Sequence, residues 1–270
     1  MFLVKPLIKL IGPDQITGRS LMRLRMFGQC AALRFSGAAD DDRKDFLDVC
    51  RRVIPRYSMV TVDRLHSLYN ISLGLARRQV RGSVVECGTW NGGAAAVMAH
   101  ASMRGGIARN VWLFDSFEGL PAPTAHDPPE VHHAYHPGWC KGSPELATSA
   151  LMAEGMDANS IHIVKGWFEE TLPKANVGPI ALLHVDSDWY ESVRICLETF
   201  YDSVVPGGAI VLDDYRLWGG CRKAIDEFVA ARGLTGSLKP SGKTAVYLTK
   251  PIGSELHFHS SQDAQLQPLT

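Results

Sequence analysis

The feature that most constrains the fold is a regular alternation of strand and helix patterns after residue 83. Short apolar runs rich in β-branched residues alternate with longer segments that have helical periodicity. The predicted strands are residues 84–87, 111–114, 161–164, 180–185, 209–212 and 245–248, and the predicted helices between them are 94–102, 192–201 and 221–231. This alternation predicts an α/β fold built on a doubly wound, Rossmann-like parallel sheet.

Two further helices are expected ahead of the sheet. Asp40, Asp41 and Asp42 form an N-cap cluster for the first helix, which ends before Pro55. Ser58 is the expected cap of the second helix, whose buried face is expected to contain Leu65, Leu68, Ser72 and Leu75. The chain is thus expected to consist of an N-terminal helical extension (1–57), a main domain (58–250) and a C-terminal tail (251–270).

Charge and cysteine content narrow the classes of function. The 28 basic and 28 acidic residues cancel, so the chain lacks the positive field that a nucleic-acid partner requires. The six cysteines are scattered without a Cys-x-x-Cys pair, which indicates reduced thiols in a cytoplasmic protein. The apolar start is interrupted by lysines and is far shorter than the roughly 20 residues that cross a bilayer, so no integral membrane segment is expected.

The N-terminal arm, residues 1–39, is basic, with six Lys or Arg residues against Asp14 alone. A solvated basic face is the preferred interpretation, and contact with a partner subunit or a membrane surface is the alternative. We expect a homodimer or a higher homo-oligomer.

Four carboxylates follow the two most apolar predicted strands. Asp186 and Asp188 come after residues 180–185, and Asp213 and Asp214 come directly after residues 209–212. The carboxyl ends of parallel strands share the edge of the sheet at which ligands bind. Four acids at one edge repel each other, so a bound divalent cation is the simplest resolution. Oxygen ligands favour magnesium, manganese or calcium.

A glycine-containing turn follows the first strand in residues 84–93 (VVECGTWNGG). Glycine permits a tight turn close to a ligand, and the next helix offers free N–H groups at its start. The spacing differs from the dinucleotide pattern Gly-x-Gly-x-x-Gly, which argues against a nicotinamide dehydrogenase. Asp115 ends the second strand, where an acid in such folds binds ribose hydroxyls. Together these signals predict a nucleoside-containing cofactor.

Residues 119–145, the lid segment, are rich in proline and are predicted to form a functional loop rather than core. Zinc binding is not favoured there, because the spacing of its potential ligands matches no zinc motif. Those residues are His126, His132, His133, His136 and Cys140. Trp167 and Phe168 fit either a core position or a wall for a flat ligand such as adenine.

Five segments in series resemble the macrocin O-methyltransferase family. They are residues 84–93, 114–121 (FDSFEGLP), 165–173 (KGWFEETLP), 186–192 (DSDWYES) and 206–215 (PGGAIVLDDY), and the resemblance extends over residues 57–231. Members of that family are S-adenosylmethionine- and magnesium-dependent enzymes that methylate sugar hydroxyls of macrolide and aminocoumarin antibiotics. The resemblance implies a class I methyltransferase sheet.

The resemblance also implies roles for individual residues. Asp186, Asp213 and Asp214 would bind Mg²⁺ or Mn²⁺, and Asp188 would be the general base. For S-adenosyl-L-methionine, Asp115 would bind the ribose. The remaining cofactor contacts would come from Ser58, Met59, Glu86 and Gly88 at the methionine end, from Ser116, Gly166, Trp167 and Phe168 near the adenine, and from Asp186.

The expected function is therefore O-methylation of a sugar hydroxyl on a glycosylated natural product or saccharide. Two alternatives stay open from the sequence. A catechol-type O-methyltransferase uses the same metal chemistry on an aromatic diol, and a non-catalytic cofactor-binding protein retains the fold without turnover.

Overall fold

A computed structural model describes residues 41–252 of the chain, and the structural statements below concern these residues. The basic arm, Asp40 and residues 253–270 of the expected tail lie outside them. The central feature is a seven-stranded sheet of order β3-β2-β1-β4-β5-β7-β6. Its strands are β1 (Ser83–Cys87), β2 (Val111–Asp115), β3 (Ile161–Lys165), β4 (Ile180–Val185), β5 (Val204–Leu212), β6 (Lys239–Ser241) and β7 (Ala245–Thr249).

Helices connect the strands and cover both faces of the sheet. They are α1 (Asp41–Val53), α2 (Val62–Arg77), α3 (Gly93–Arg104), α4 (Pro129–Ala134), α5 (Pro144–Ala153), α6 (Phe168–Thr171), α7 (Tyr190–Phe200) and α8 (Gly219–Ala231). None of these helices is long and apolar enough to cross a membrane.

The predicted doubly wound sheet is confirmed for strands β1 to β5, which pair in parallel. The prediction of an all-parallel sheet is wrong at one edge. Strand β7 runs antiparallel to β5, and it forms a hairpin with β6, which the sequence analysis missed. Lys239-Pro-Ser241 is short and contains proline, a composition that strands tolerate only at a sheet edge. The order of strands reverses between β1 and β4, which places a ligand crevice at their carboxyl ends.

Alternating side chains of the sheet enter two separate cores. Val84, Leu182 and Val211 pack with α1, α2 and α3 on one face. Val85 and Leu183, on the opposite face, pack with α7 and α8. Because side chains alternate along a strand, Glu86 and His184 lie on the same face as α2. Helix α1 shares the core of α2 and α3, with Phe46 and Val49 fully buried.

The second helix begins later than the sequence indicated. Its N-cap is Thr61, so the expectation that Ser58 caps it is wrong. The Ser58 hydroxyl instead accepts a hydrogen bond from the Val60 N–H at 3.1 Å. The reason is that the Tyr57 carbonyl accepts a hydrogen bond from the Gly93 N–H at 2.7 Å, so the chain crosses the start of α3 before α2 begins. The expected inner face of α2 is confirmed, since Leu65, Leu68, Ser72 and Leu75 are buried.

The lid segment contains regular secondary structure and is not a loop throughout. It contains α4 and the start of α5, and it buries Val131 and Trp139 against Trp189 in a small core of its own. The prediction that this segment contributes nothing to a core is therefore wrong. Its apolar anchors are single residues among prolines and histidines, so they produce no periodic signal in the sequence.

Candidate active site

The four predicted carboxylates lie at one edge of the sheet. Asp186 follows β4 and Asp213 follows β5, and the Asp213 N–H donates a hydrogen bond to the Val185 carbonyl at 2.9 Å. Asp188 and Asp214 both have left-handed backbone conformations, with φ of 59° and 57°. Non-glycine residues adopt this region at an energetic cost, and such residues concentrate at functional sites.

Arg64, which the sequence analysis did not single out, lies among these acids. It comes from the first turn of α2, and its Nη1 is 2.6 Å from Asp213 Oδ2 and 2.9 Å from Asp214 Oδ1. Its side chain is only 12% exposed, so solvent screens the two ion pairs weakly. Arg64 therefore supplies part of the positive charge that the sequence analysis assigned entirely to a metal ion.

The negative charge that Arg64 does not offset remains concentrated at the acidic edge of the sheet. Burial raises the pKa of Asp186 well above its usual range, and the charges of Asp213 and Asp214 raise it further, while Arg64 opposes the shift. Burial also raises the pKa of Asp214, with Asp213 and Asp188 adding to the effect. A single arginine thus leaves a site in which a cation is still favoured.

Asp188 is oriented by an aromatic side chain. The Trp218 Nε1–H donates a hydrogen bond to Asp188 Oδ1 at 2.8 Å. Burial raises the pKa of Asp188, and the hydrogen bonds from Asp214 and Trp218 lower it in part. A carboxylate with a raised pKa is a better proton acceptor near neutral pH.

Three tryptophans form a wall next to Asp188. The ring centroids of Trp189 and Trp218 are 5.5 Å apart, and those of Trp139 and Trp189 are 6.0 Å apart, both in edge-to-face geometry. Trp139 belongs to the lid segment, whereas the other two flank the acids in the sequence. The wall therefore joins the lid segment to the acidic edge.

The lid segment is tied to the start of α7 by two hydrogen bonds. Asp127 Oδ1 accepts from the Tyr190 N–H at 3.0 Å, and the Trp189 Nε1–H donates to the Pro121 carbonyl at 2.9 Å. Its histidines do not converge on one point, since His132 contacts the Thr124 carbonyl and His126 stacks on Tyr190.

The glycine turn lies beside the acids. Gly88 has φ of 82°, and a Cβ at this position would lie 1.8 Å from the Asp186 carbonyl oxygen, so only glycine fits. Asp115 accepts hydrogen bonds from the N–H groups of Thr89, Trp90 and Phe117 at 2.6 to 2.8 Å. A carboxylate has about four acceptor positions, so one remains for a ligand hydroxyl. The turn and the acids thus lie next to each other at the carboxyl edge of the sheet.

The other predicted cofactor residues surround this turn. Ser58 is buried against Gly93, and Met59 is 38% exposed beside it. Ser116 is buried, with its hydroxyl donating to the Gly119 carbonyl at 2.8 Å. The remaining predicted residues lie after β3, where the Gly166 N–H donates to the Asp115 carbonyl, Trp167 is 37% exposed and Phe168 packs in the second core.

The Glu86 carboxylate points away from the open part of the turn. One oxygen is hydrogen-bonded to the Thr89 hydroxyl, and the other lies 2.9 Å from His184 Nδ1. The other ring nitrogen of His184, Nε2, is buried and has no hydrogen-bond partner among residues 41–252. His184 was part of the acid-rich sequence motif, but its type and spacing alone assigned it no role.

The site has the donor atoms that a divalent cation requires. Both carboxylate oxygens of Asp213 are buried without a hydrogen bond from the described residues, although Oδ2 is ion-paired with Arg64. A ring nitrogen of His184 and carboxylate oxygens of Asp186 and Asp213 all lie within 4.8 Å of one another. Buried polar atoms without partners are rare in folded proteins and indicate a bound water or ion. These residues therefore fit a divalent cation.

The sheet order and the ligand crevice define a Rossmann-like, class I methyltransferase. The O-methyltransferase NovP has the same fold, with a TM-score of 0.66 and 25% identity over 87% of this chain and 100% of NovP. The calicheamicin methyltransferase CalS11 supports the fold alone, at 19% identity, with a TM-score of 0.57 over 90% of this chain and 96% of CalS11.

The family follows from the sequence comparison. A profile of the macrocin-O-methyltransferase (TylF) family matches residues 16–250, and the chain belongs to this family. It is 31% identical over 195 residues to the 8-demethyl-8-(2,3-dimethoxy-alpha-L-rhamnosyl)-tetracenomycin-C 4'-O-methyltransferase of Streptomyces olivaceus, covering 71% of this chain and 74% of that protein. It is 29% identical to the demethyldecarbamoylnovobiocin O-methyltransferase of Streptomyces niveus, with the same coverage. The protein is thus an O-methyltransferase, as the resemblance in the sequence implied.

Proposed function

We propose that this protein transfers a methyl group from S-adenosyl-L-methionine to a sugar hydroxyl of a glycosylated natural product, with the help of a divalent metal ion. The observation that carries the proposal is the contact between the glycine turn and the acidic edge. Gly88 lies against the Asp186 carbonyl, so a cofactor on the turn and an acceptor on the acids would meet at one point.

The cofactor would bind along the glycine turn. In this proposal Asp115 accepts a hydrogen bond from a ribose hydroxyl through its remaining acceptor position. The exposed Trp167 ring, beside Gly166, offers a flat surface for the adenine. Ser58 and Met59 would contact the methionine end, because they lie over the start of α3. Glu86 would act there mainly by holding the turn through Thr89.

The metal ion would be held by Asp186, Asp213 and Asp214, with Mg²⁺ or Mn²⁺ as the expected ion. A divalent cation lowers the pKa of hydroxyls that it holds and fixes their position. The single positive charge of Arg64 would offset the charge of one of these three carboxylates. One divalent ion would then balance the other two. Arg64 would also keep Asp213 and Asp214 side by side.

Asp188 would take the proton from the acceptor hydroxyl. The hydrogen bond from Trp218 would hold the carboxylate in position, and its raised pKa would favour uptake of the proton. S-adenosyl-L-methionine would supply the methyl group when bound on the glycine turn, and Asp188 would keep the proton of the acceptor hydroxyl that receives it. General-base groups of this kind contribute about 10²–10⁴ in rate.

A sugar acceptor is supported by the names of the relatives and by the aromatic side chain beside Asp188. The Streptomyces olivaceus relative is named for methylation of a rhamnosyl compound. In this protein the half-buried Trp218 lies beside Asp188, backed by the buried Trp139 and Trp189, and an aromatic face is suited to the apolar face of a sugar ring. The lid segment brings Trp139 to the tryptophan wall and would exclude water from the reacting atoms.

The metal requirement is tested by chelation. Treatment with EDTA and exhaustive dialysis is expected to abolish methyl transfer, because the acids would no longer hold the acceptor. Affinity for S-adenosyl-L-methionine, measured by calorimetry, is expected to change little, since its contacts lie on the turn and Asp115. Added Mg²⁺ is expected to restore activity. Full activity in the dialysed protein would contradict the metal-dependent part of the proposal.

A further inference from the structure

His184 has the surroundings of a metal ligand rather than those of a core histidine. It lies on β4, fully buried, two residues before Asp186. Its Nε2 atom has no hydrogen-bond partner among the described residues. A buried polar atom without a partner destabilises the fold, so a native structure rarely retains one without a function.

The hydrogen bond on the other side of the ring sets the state of this nitrogen. Nδ1 lies 2.9 Å from Glu86 Oε1, and a carboxylate can only accept, so Nδ1 carries the hydrogen. In the neutral ring Nε2 then presents a lone pair. The Thr89 hydroxyl bonds the second oxygen of Glu86 and fixes the carboxylate in place. A carboxylate that orients a histidine in this way is a recurring feature of metal sites.

The position of the ring relative to the acids provides the second observation. One ring nitrogen of His184 and carboxylate oxygens of Asp186 and Asp213 lie within 4.8 Å of one another. Arg64 Nη1 is 2.6 Å from Asp213 Oδ2 and 2.9 Å from Asp214 Oδ1, so one oxygen of each of these carboxylates is already in an ion pair. His184 is therefore placed to complete the ligand set beside the two acids.

We propose that His184 Nε2 is a nitrogen ligand of the metal ion, in addition to the carboxylates, and that Glu86 orients it. Nitrogen ligands favour first-row transition ions, whereas Mg²⁺ favours oxygen. The site therefore prefers ions such as Mn²⁺ or Co²⁺ to Mg²⁺. This inference rests on the metal-binding part of the proposed function and adds the identity of one ligand and the resulting metal preference.

The test is pulsed electron paramagnetic resonance of Mn²⁺ bound to the full-length protein, which detects nitrogen nuclei bonded to the ion. We expect a directly bound nitrogen in the wild-type protein. Its signal is expected to change when histidine alone is labelled with ¹⁵N. It should disappear in His184→Gln, where an amide can still donate to Glu86, and persist in His162→Gln, whose ring stacks on Trp112 in the outer part of the sheet. The wild-type spectrum decides the question even if His184→Gln fails to fold.

Calorimetry provides a second readout that does not depend on activity. The wild-type protein is expected to bind Co²⁺ more tightly than Mg²⁺, and His184→Gln is expected to reduce that preference. Glu86→Gln is expected to weaken Mn²⁺ binding by about 10–100-fold, the usual effect of losing a residue that orients a ligand. Bound Mn²⁺ without a nitrogen signal would overturn the His184 assignment and leave the proposed metal site intact. Absence of Mn²⁺ binding, with or without cofactor, would overturn both.

Discussion

At the scale of single residues, Asp188 differs from Asp213 and Asp214, which form ion pairs with Arg64, because it accepts a hydrogen bond from Trp218. We predict that Asp188→Asn lowers the rate of methyl transfer by at least about 10², because the amide cannot take the proton. Metal and cofactor affinities, measured by calorimetry, are expected to remain close to those of the wild-type protein.

Asp226→Asn is the matched control for this prediction. Asp226 also accepts a hydrogen bond from an aromatic residue, the Tyr215 hydroxyl at 2.6 Å, but it lies exposed on α8. Its substitution is expected to leave turnover unchanged. Loss of the metal in Asp188→Asn would instead make Asp188 a ligand, and near-normal turnover would give it no catalytic part.

The sequence analysis predicted the position of the four acids at the edge of the sheet better than it predicted the residues that contact the site. Asp186, Asp188, Asp213 and Asp214 follow apolar strands, so chain order alone brings them to one edge. Arg64 reaches Asp214 across 150 residues of sequence, and Glu86 reaches His184 across 98. Such pairs depend on how α2 packs and on which strands are neighbours, and neither residue type nor spacing signals them.

At the scale of elements, Asp127 joins the lid segment to the start of α7. It accepts the Tyr190 N–H, as an N-cap residue does, although it lies 63 residues away in the chain. We predict that Asp127→Ala lowers the free energy of unfolding by about 0.5–2 kcal/mol, the usual cost of losing a cap. The lid segment is also expected to open more often, which faster tryptic cleavage after the exposed Lys141 would report.

Asp157→Ala is the control for Asp127→Ala. Asp157 caps the short helix Ala158–Ser160 by accepting from the Asn159 N–H at 2.9 Å, outside the lid segment. Its loss is expected to leave cleavage after Lys141 unchanged. Equal cleavage rates in wild type and Asp127→Ala would show that this hydrogen bond does not hold the lid segment.

Sequence patterns predicted some of the strands and helices correctly and failed for others. Strands β1 to β5 were predicted because each contains a short apolar run between turn residues. Strand β6 was missed because it is polar and short, and the start of α2 was misplaced because Tyr57 bonds Gly93, a contact between distant segments. The parallel pairing of strands β1 to β5 was predicted, whereas the antiparallel edge was not.

At the scale of the whole molecule, His100 links α1, α3 and the end of α5. Its Nε2 is 3.0 Å from Asp45, and its Nδ1 is 3.0 Å from Glu154. The hydrogen bond with Glu154, followed by that with Asp45, raises the pKa of His100 although burial opposes the shift. Burial opposes ionisation of Glu154, but the hydrogen bond from Arg52 lowers the pKa of Glu154, and Arg104 lies 3.6 Å from Asp45.

This arrangement predicts a pH-dependent stability. A histidine whose pKa is raised by folding stabilises the protein fully below its ordinary pKa of 6.5, and the stabilisation is lost as pH rises through the folded-state value. Denaturant unfolding is expected to show a larger difference between wild type and His100→Gln at about pH 6 than at about pH 9. The same difference at both pH values would mean that the charge of His100 does not contribute.

The central claim is that a divalent ion at the acidic edge would position the acceptor, and we propose that two neighbouring hydroxyls of the sugar would chelate this ion. The most direct measurement compares initial rates of methyl transfer to three acceptors in the presence of Mg²⁺: a glycoside with a vicinal diol, its deoxy analogue without the neighbouring hydroxyl, and a catechol. The account predicts rapid methylation of the glycoside and loss of most of the rate with the deoxy analogue, because chelation is lost. It also predicts poor turnover of the catechol. Equal rates on the diol and deoxy glycosides would contradict the chelation mechanism, and a preference for the catechol would contradict the sugar acceptor.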